Sequence, residues 1–448
     1  MNLCNIAEHQ SIKHKLTMSP STSIHFFLLL TTLLSLSCLS QSHKISQVNP
    51  ITLPIAKDPK TNLFYTPIGI GTPQHNFNLT IDLGGPILWY DCNNNYNSST
   101  YNPVHCDSKR CNGNAGCTGC NGPFKPGCSN DTCGANILNP FTDSIFSGDT
   151  GDDVLFVSGN TLSDLLSGCT NSDGFSGDEV LKGLPEESKG IIGFARTDLA
   201  LQTQLSSTHK LPRKFSLCLP TSNNNGPGKV VIGGGTTQPT ILVTTTLIVN
   251  PFSTAPIFSE GDPSYEYFID VKSINIEGND LNFKSSLLSI DSKGNGGTKI
   301  STMNPFTILH SSILKPLVRD FVKKASDRKI KKVASVAPFE ACFDVSTIDM
   351  TVTGLNVPTI ELVLKEVVQW TFYGGNSMVL VNKNVACLAF VDGGKEPRTS
   401  VIIGGYQLED NLLEFDLVSS KLSFSSSLHR LKLTCSSGDL FSYPVYKA

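Results

Sequence analysis

Charge is scarce in this chain. Of its 448 residues, 16% are Asp, Glu, Lys or Arg, and the formal net charge is −3. The pI of about 6.3 completes the picture. Such a chain has no basic field, so a nucleic-acid partner is not expected. Long apolar runs are also missing beyond the N-terminal region, so no later segment could span a bilayer. Sustained helical periodicity is rare. What is abundant instead is Gly (37) and Pro (25), with Ser, Thr and Asn. That mixture suits a mostly β protein with many turns and few short helices. The length exceeds one ordinary domain and points to two or more.

The N-terminus carries the one leader-like segment. Ile24-His25-Phe26-Phe27-Leu28-Leu29-Leu30 continues through Leu33-Leu34-Ser35-Leu36 behind Lys13, His14 and Lys15, and ends near Ser40-Gln41-Ser42. This is the plan of a signal peptide, and it is too short and too Ser/Thr-broken for a membrane span. Residues 1–42 are therefore read as signal peptide and leader, with Met1 or Met18 as the start. The mature protein is expected to be secreted and to have no membrane partner.

Removing Cys4 and Cys38 with the leader leaves twelve of the fourteen cysteines. An even number in a secreted chain reads as a disulfide framework. Seven of them fall between residues 92 and 133. Cys117-Thr118-Gly119-Cys120 could form half of a zinc site, but no His pair accompanies it, so a stapled loop is expected and no metal or cofactor. Asn97-Ser98-Ser99 and Asn130-Asp131-Thr132 are glycosylation sequons in this polar region. Asn78-Leu79-Thr80 also matches but leads into a strand of buried character.

The chain repeats itself at long range. Leu79-Thr80-Ile81-Asp82-Leu83-Gly84-Gly85-Pro86-Ile87-Leu88-Trp89 reads strand, turn, strand. Thr298-Lys299-Ile300-Ser301-Thr302-Met303-Asn304-Pro305-Phe306-Thr307-Ile308 has the same rhythm, with Pro305 placed as Pro86 is. Each half later carries an apolar pair before glycine, in Ile191-Ile192-Gly193 and Ile402-Ile403-Gly404. This implies two similar lobes, residues 43–225 with a Cys-rich insertion and residues 226–448, and a site at their seam. The boundary is expected between Pro220 and Gly228, in a run of Ser, Asn, Gly and Pro. Helical spacing of Leu314, Leu317, Val318, Phe321 and Val322 predicts a helix from Ser311. A weaker helix is expected from Asp198 to Leu205.

These features together resemble the pepsin-type aspartic proteases, over nearly all of the mature chain. In that family each lobe supplies Asp-[Thr/Ser]-Gly-[Thr/Ser], and the two Asp share a proton to activate one water. Here the first loop reads Asp82-Leu83-Gly84-Gly85, and hydroxyl residues are lost at 83 and 85. The second reads Ser301-Thr302-Met303-Asn304, with serine in place of the carboxylate. A serine hydroxyl cannot act as the general base near neutral or acid pH. No Tyr lies between Gly134 and Gly159, where relatives place one on the flap. The resemblance therefore implies a two-lobed pepsin-like acid-protease fold, disulfide-stapled, with Asp82 vestigial and no intact catalytic pair. Asp291, the nearest upstream acid, stands ten residues from Ser301.

Asp82-Leu83-Gly84-Gly85, the clustered cysteines, Asn139-Pro140, Pro338-Phe339-Glu340-Ala341-Cys342 and Ile403-Gly404-Gly405-Tyr406-Gln407-Leu408-Glu409-Asp410-Asn411 narrow this further. They look like the plant extracellular glycoproteins that comprise xyloglucan endoglucanase inhibitors, xylanase inhibitors, extracellular dermal glycoproteins and basic 7S globulins. That subgroup implies a secreted inhibitor of microbial cell-wall-degrading glycoside hydrolases in the apoplast or cell wall. An aspartic endopeptidase, and a seed or wall storage or peptide-binding globulin, are the alternatives. By the same resemblance Cys342 pairs with Cys387 and Cys218 with Cys435. A cation set between the two carboxylates of a glycosidase cleft would block it. The resemblance points to second-lobe loops as its source. Arg398 in Gly394-Lys395-Glu396-Pro397-Arg398 comes first, followed by Arg328 and Lys332 in the basic stretch 328–332.

Overall fold

Short strands dominate, as the Gly- and Pro-punctuated apolar segments require. The computed structural model describes residues 49–441, except 94–95, 112–115, 121, 143, 172–176, 223–225 and 255–260. The proposed leader, residues 1–42, lies outside the described residues.

The two repeats fold into matching units. In the first, the strand His75–Asp82 runs parallel to Ser188–Gly193, which pairs antiparallel with Trp89–Asp91. In the second, Thr298–Ile300 runs parallel to Val401–Ile403, which pairs antiparallel with Thr307–Leu309. Asp82 stands opposite Gly193, and Ile300, just before Ser301, stands opposite Ile403. The chain crosses itself tightly at both places. A Cβ on Gly193 would stand 2.2 Å from the Gly85 carbonyl oxygen, and one on Gly404 would stand 2.3 Å from the carbonyl carbon of Phe306. Glycine at these two positions is therefore a packing requirement.

A six-stranded antiparallel sheet joins the halves. Its order is Ile51–Lys57, Gly228–Ile232, Lys214–Cys218, Leu412–Asp416, Lys421–Phe424 and Val243–Ile248. The polar run between Cys218 and Gly228 joins two neighbouring strands of this sheet. Buried side chains from both halves, among them Phe215, Tyr267 and Phe415, form one cluster over it, with Phe215 and Phe415 stacked at 4.7 Å.

The helix Ser311–Asp327 begins where the sequence places it, with His310 Nδ1 accepting from Ser312 N at 3.0 Å. The weaker helix instead spans Leu201–His209. The Thr197 hydroxyl donates to Pro86 O and accepts from Ala200 N, which keeps residues 197–200 in a turn and delays the helix.

Six disulfides occur among the described residues. Cys218–Cys435 ties the shared sheet to the C-terminal segment, and Cys342–Cys387 links adjacent strands of the second half. The others are Cys92–Cys169, Cys106–Cys117, Cys111–Cys133 and Cys120–Cys128.

Candidate functional site

The seam between the repeats brings Asp82 and Ser301 into the turns that follow the two crossing strands. Asp82 is buried, 7% exposed. Its Oδ1 accepts from Gly84 N at 2.7 Å, and its carbonyl accepts from Phe194 N at 2.9 Å. Ser301 is also buried; its N–H donates to Ile403 O at 2.9 Å, and its Oγ accepts from Met303 N at 3.2 Å.

The latch across the seam is one-sided. Thr302 Oγ1 donates to Ile81 O at 2.6 Å and accepts from Leu83 N at 3.1 Å. The corresponding position of the first loop is Leu83, which is buried in the main core and has no hydroxyl to return the contact. Two other groups stitch the halves nearby. Tyr267 OH donates to Phe194 O at 2.6 Å, and the Arg196 guanidinium donates to Glu266 O.

An acid that sequence reasoning missed reaches the seam. Glu266 Oε1 takes the Lys299 ammonium at 2.7 Å, with both side chains about one-eighth exposed (13% and 12%). Its Oε2 accepts from the hydroxyls of Thr254 and Ser264. A Cβ on Gly84 would stand 3.3 Å from Glu266 Oε1 and 3.4 Å from Asp82 Oδ1, so both carboxyl groups border the same turn. Burial pushes the Asp82 carboxyl up to about 7, and the Glu266 charge adds to this. The Gly84 N–H, Lys299 and the Gly85 N–H draw it back. Lys299 precedes Ser301 by two positions, the one sequence signal that a cation sits here. Asp291, by contrast, closes its own turn by accepting from Lys293 N and Asn295 N at 2.8 Å each.

The loop after Ser301 carries a large buried side chain. Met303 stands where the protease motif has glycine, and it is buried in a cluster with Ile87, Trp89, Ala135, Ile137 and Phe146. Ala135, Ile137 and Phe146 belong to the hairpin of Thr132–Leu138 and Ile145–Val157, which corresponds to a protease flap. The hairpin is also tied down at its turn. Asn139 Nδ2 donates to Val180 O at 2.9 Å and Lys182 O at 2.8 Å, and Phe141 lies against Gly183.

The loop cations are scattered. Arg398 is half-buried on the connection between Phe390–Asp392 and Val401–Ile403, where its carbonyl accepts from Gly296 N at 2.8 Å. Ser311 N donates to Gly394 O at 2.8 Å and Ser311 Oγ to Asp392 at 2.6 Å, so this loop is pinned at its start. Lys332 is exposed on the short strand Lys332–Val333. Arg328 is engaged within the protein, with Glu277 and with Asn356 Oδ1. It also lines a small polar pocket with Ile330, Thr347, Ile348, Asp349 and Asn356. Asn97 and Asn130 are both exposed. Cys106, Cys117 and Asp131 come together, but the two thiols are joined to each other and offer no thiolate to a metal.

Comparison with known proteins agrees with this geometry. Residues 64–234 match the family described as Xylanase inhibitor N-terminal, and residues 266–426 match Xylanase inhibitor C-terminal. A Nicotiana benthamiana protein named "Probable aspartic proteinase GIP2" is 43% identical over 93% of this chain and 98% of its own length. Gamma conglutin 1 of Prunus dulcis is 36% identical over 92% and 96%. The crystal structure described as that of edgp superposes with a TM-score of 0.83 at 40% identity, covering 88% of this chain and 98% of that one. Basic 7S globulin from soybean gives a TM-score of 0.73 at 29% identity, covering 87% and 99%. With both half-domains matched and relatives aligned along almost its whole length, the chain belongs to the xylanase-inhibitor family of plant pepsin-fold proteins.

Proposed function

We propose that this protein is a secreted, proteolytically inactive scaffold that inhibits microbial cell-wall-degrading glycoside hydrolases, endoglucanases or xylanases, in the apoplast or cell wall. The observation that carries the reading is Met303. Its side chain is buried in one apolar cluster with Phe146 of the flap-like hairpin. An extended peptide could not enter there without expelling a buried side chain, and Ser301 could not supply a base if it did. The two-lobed frame is meanwhile intact, so its loops are left to carry the function. Six disulfides support secretion, because such bonds persist in oxidising compartments.

In this reading Arg398 supplies the cation for the hydrolase's paired carboxylates, because its loop is held by hydrogen bonds at its start and at Arg398 itself. A pre-organised loop loses little entropy on binding. Lys332 is the second cation. Arg328 ranks below Lys332, because insertion would require it to leave Glu277.

The test is capture from a fungal culture filtrate on immobilised protein, with Arg398→Ala as control. Recovery of a xyloglucan- or xylan-cleaving enzyme by the parent and its loss from the variant is the expected result. Recovery of no hydrolase by the parent would contradict the reading.

A further inference from the structure

The Cys-rich insertion holds a feature that neither the seam nor the second-half loops use. Cys120 and Cys128 are joined across a sequence separation of 8. Within the loop they close, Lys125 N donates to Cys128 O at 3.2 Å and Cys128 N donates to Lys125 O at 2.9 Å. Pro123 and Pro126 restrict the backbone on either side of Phe124 and Lys125.

The base of this loop is fastened to the body of the protein. Gly127 lies on the buried Cys92–Cys169 disulfide, where an added Cβ would stand 3.0 Å from Cys92 Sγ. The buried Asp149 carboxylate accepts from Thr118 Oγ1 at 2.8 Å and from Ser129 N at 2.9 Å, so one anion grips the chain on both sides of the loop. Asn130 Oδ1 accepts from Cys120 N at 3.1 Å. On this pedestal the Phe124 side chain is 69% exposed, and Lys125 beside it is exposed too. A rigid mount under an uncovered phenyl ring gives the fold nothing, since leaving it in water forfeits its burial energy. It does suit an anchor residue, whose conformational cost is met before the partner arrives.

We infer that Phe124 and Lys125 form a second inhibitory head, on the opposite half of the molecule from Arg398. It is directed at the sugar-binding cleft of a secreted polysaccharide hydrolase. This inference rests on the reading of the protein as a hydrolase inhibitor. The chemistry matches in two respects. Ligand clefts are lined mainly by apolar and aromatic side chains, against which a phenyl ring packs as an anchor. The paired carboxylates of a glycosidase attract the adjacent ammonium. An aromatic and a cation side by side on one stiff tip address both features together.

The experiment measures inhibition constants for the parent, Phe124→Ala/Lys125→Ala and Arg398→Ala/Lys332→Ala against a panel of xyloglucan- and xylan-cleaving enzymes. Thermal melts of each variant establish that it is folded. For at least one enzyme, the Phe124/Lys125 variant should lose about tenfold or more in inhibition while the Arg398/Lys332 variant stays within about twofold of the parent. If no inhibited enzyme separates the variants in this way, the second head is wrong and inhibition through the second half stands. If the parent inhibits no enzyme, both readings fall.

Discussion

The hydroxyl of Thr302 crosses the seam to donate to the carbonyl of Ile81 at 2.6 Å, while Leu83 N–H donates to Thr302 Oγ1 at 3.1 Å. One side chain from the second half thus satisfies both backbone groups of the first. Thr302→Val keeps the shape but strands a buried N–H and C=O. It should lower unfolding free energy by about 2–3 kcal/mol in a denaturant titration. Thr302→Ser, which keeps the hydroxyl, should lose less.

The seam should favour acid. Asp82 has its folded value raised from 3.8 to about 7, so the folded state holds the proton more tightly than the unfolded chain. The resulting stabilisation is full below 3.8 and is lost as pH rises through about 7. Across that window the loss is at most about 1.4 kcal/mol per pH unit. Melting temperature measured between pH 4 and 8 should fall, and Asp82→Asn should flatten the part of the fall that belongs to this site.

A second buried carboxyl adds to the same trend. Glu409, 1% exposed, meets Lys57 Nζ at 2.6 Å. Burial pushes Glu409 up to about 8, against the pull of Lys57, so its contribution is full below 4.5 and lost by about pH 8. Lys57→Met removes the pull that opposes burial, so it should cost little at pH 4, where Glu409 holds a proton in both proteins, and up to about 1.4 kcal/mol more for each pH unit above 8, as read at pH 9, where the parent's carboxylate is paired and the variant's is not. Chemical denaturation at the two pH values distinguishes these.

Restoring the missing carboxylate alone should not restore proteolysis. Ser301→Asp leaves Met303 packed with Phe146 and leaves Leu83 without a hydroxyl. Acid-pH digestion of a denatured protein should show no cleavage by the parent or by this variant. Cleavage by the parent that Asp82→Asn abolished would overturn the inactive-scaffold reading.

Much of this was legible in the chain because it depends on local pattern. Apolar strand, turn, proline and a later apolar-apolar-glycine element specify each crossing unit, and the two copies expose the duplication. The cost of a side chain at Gly193 or Gly404 explains why glycine marks the crossings. The rest depends on distance in space. Glu266 lies far from Asp82 in sequence and reaches the seam because Tyr267–Ile269 pairs with Thr298–Ile300, bringing Lys299 beside it. Met303 reads as a turn residue in sequence, and its burial needs the hairpin from the other half. The four bonds between residues 92 and 169 could not be paired from spacing, since several partners are compatible with it. Arg328 looked like a free loop cation because nothing local announces Glu277.

The most direct measurement is the inhibition constant of the purified protein against a panel of xyloglucanases and xylanases, with Arg398→Ala alongside. The account predicts saturable inhibition of at least one enzyme by the parent. On at least one of the inhibited enzymes Arg398→Ala should be weaker by about 30-fold or more, as expected when one member of a desolvated charge pair is removed. No inhibition of any enzyme at micromolar protein would contradict it.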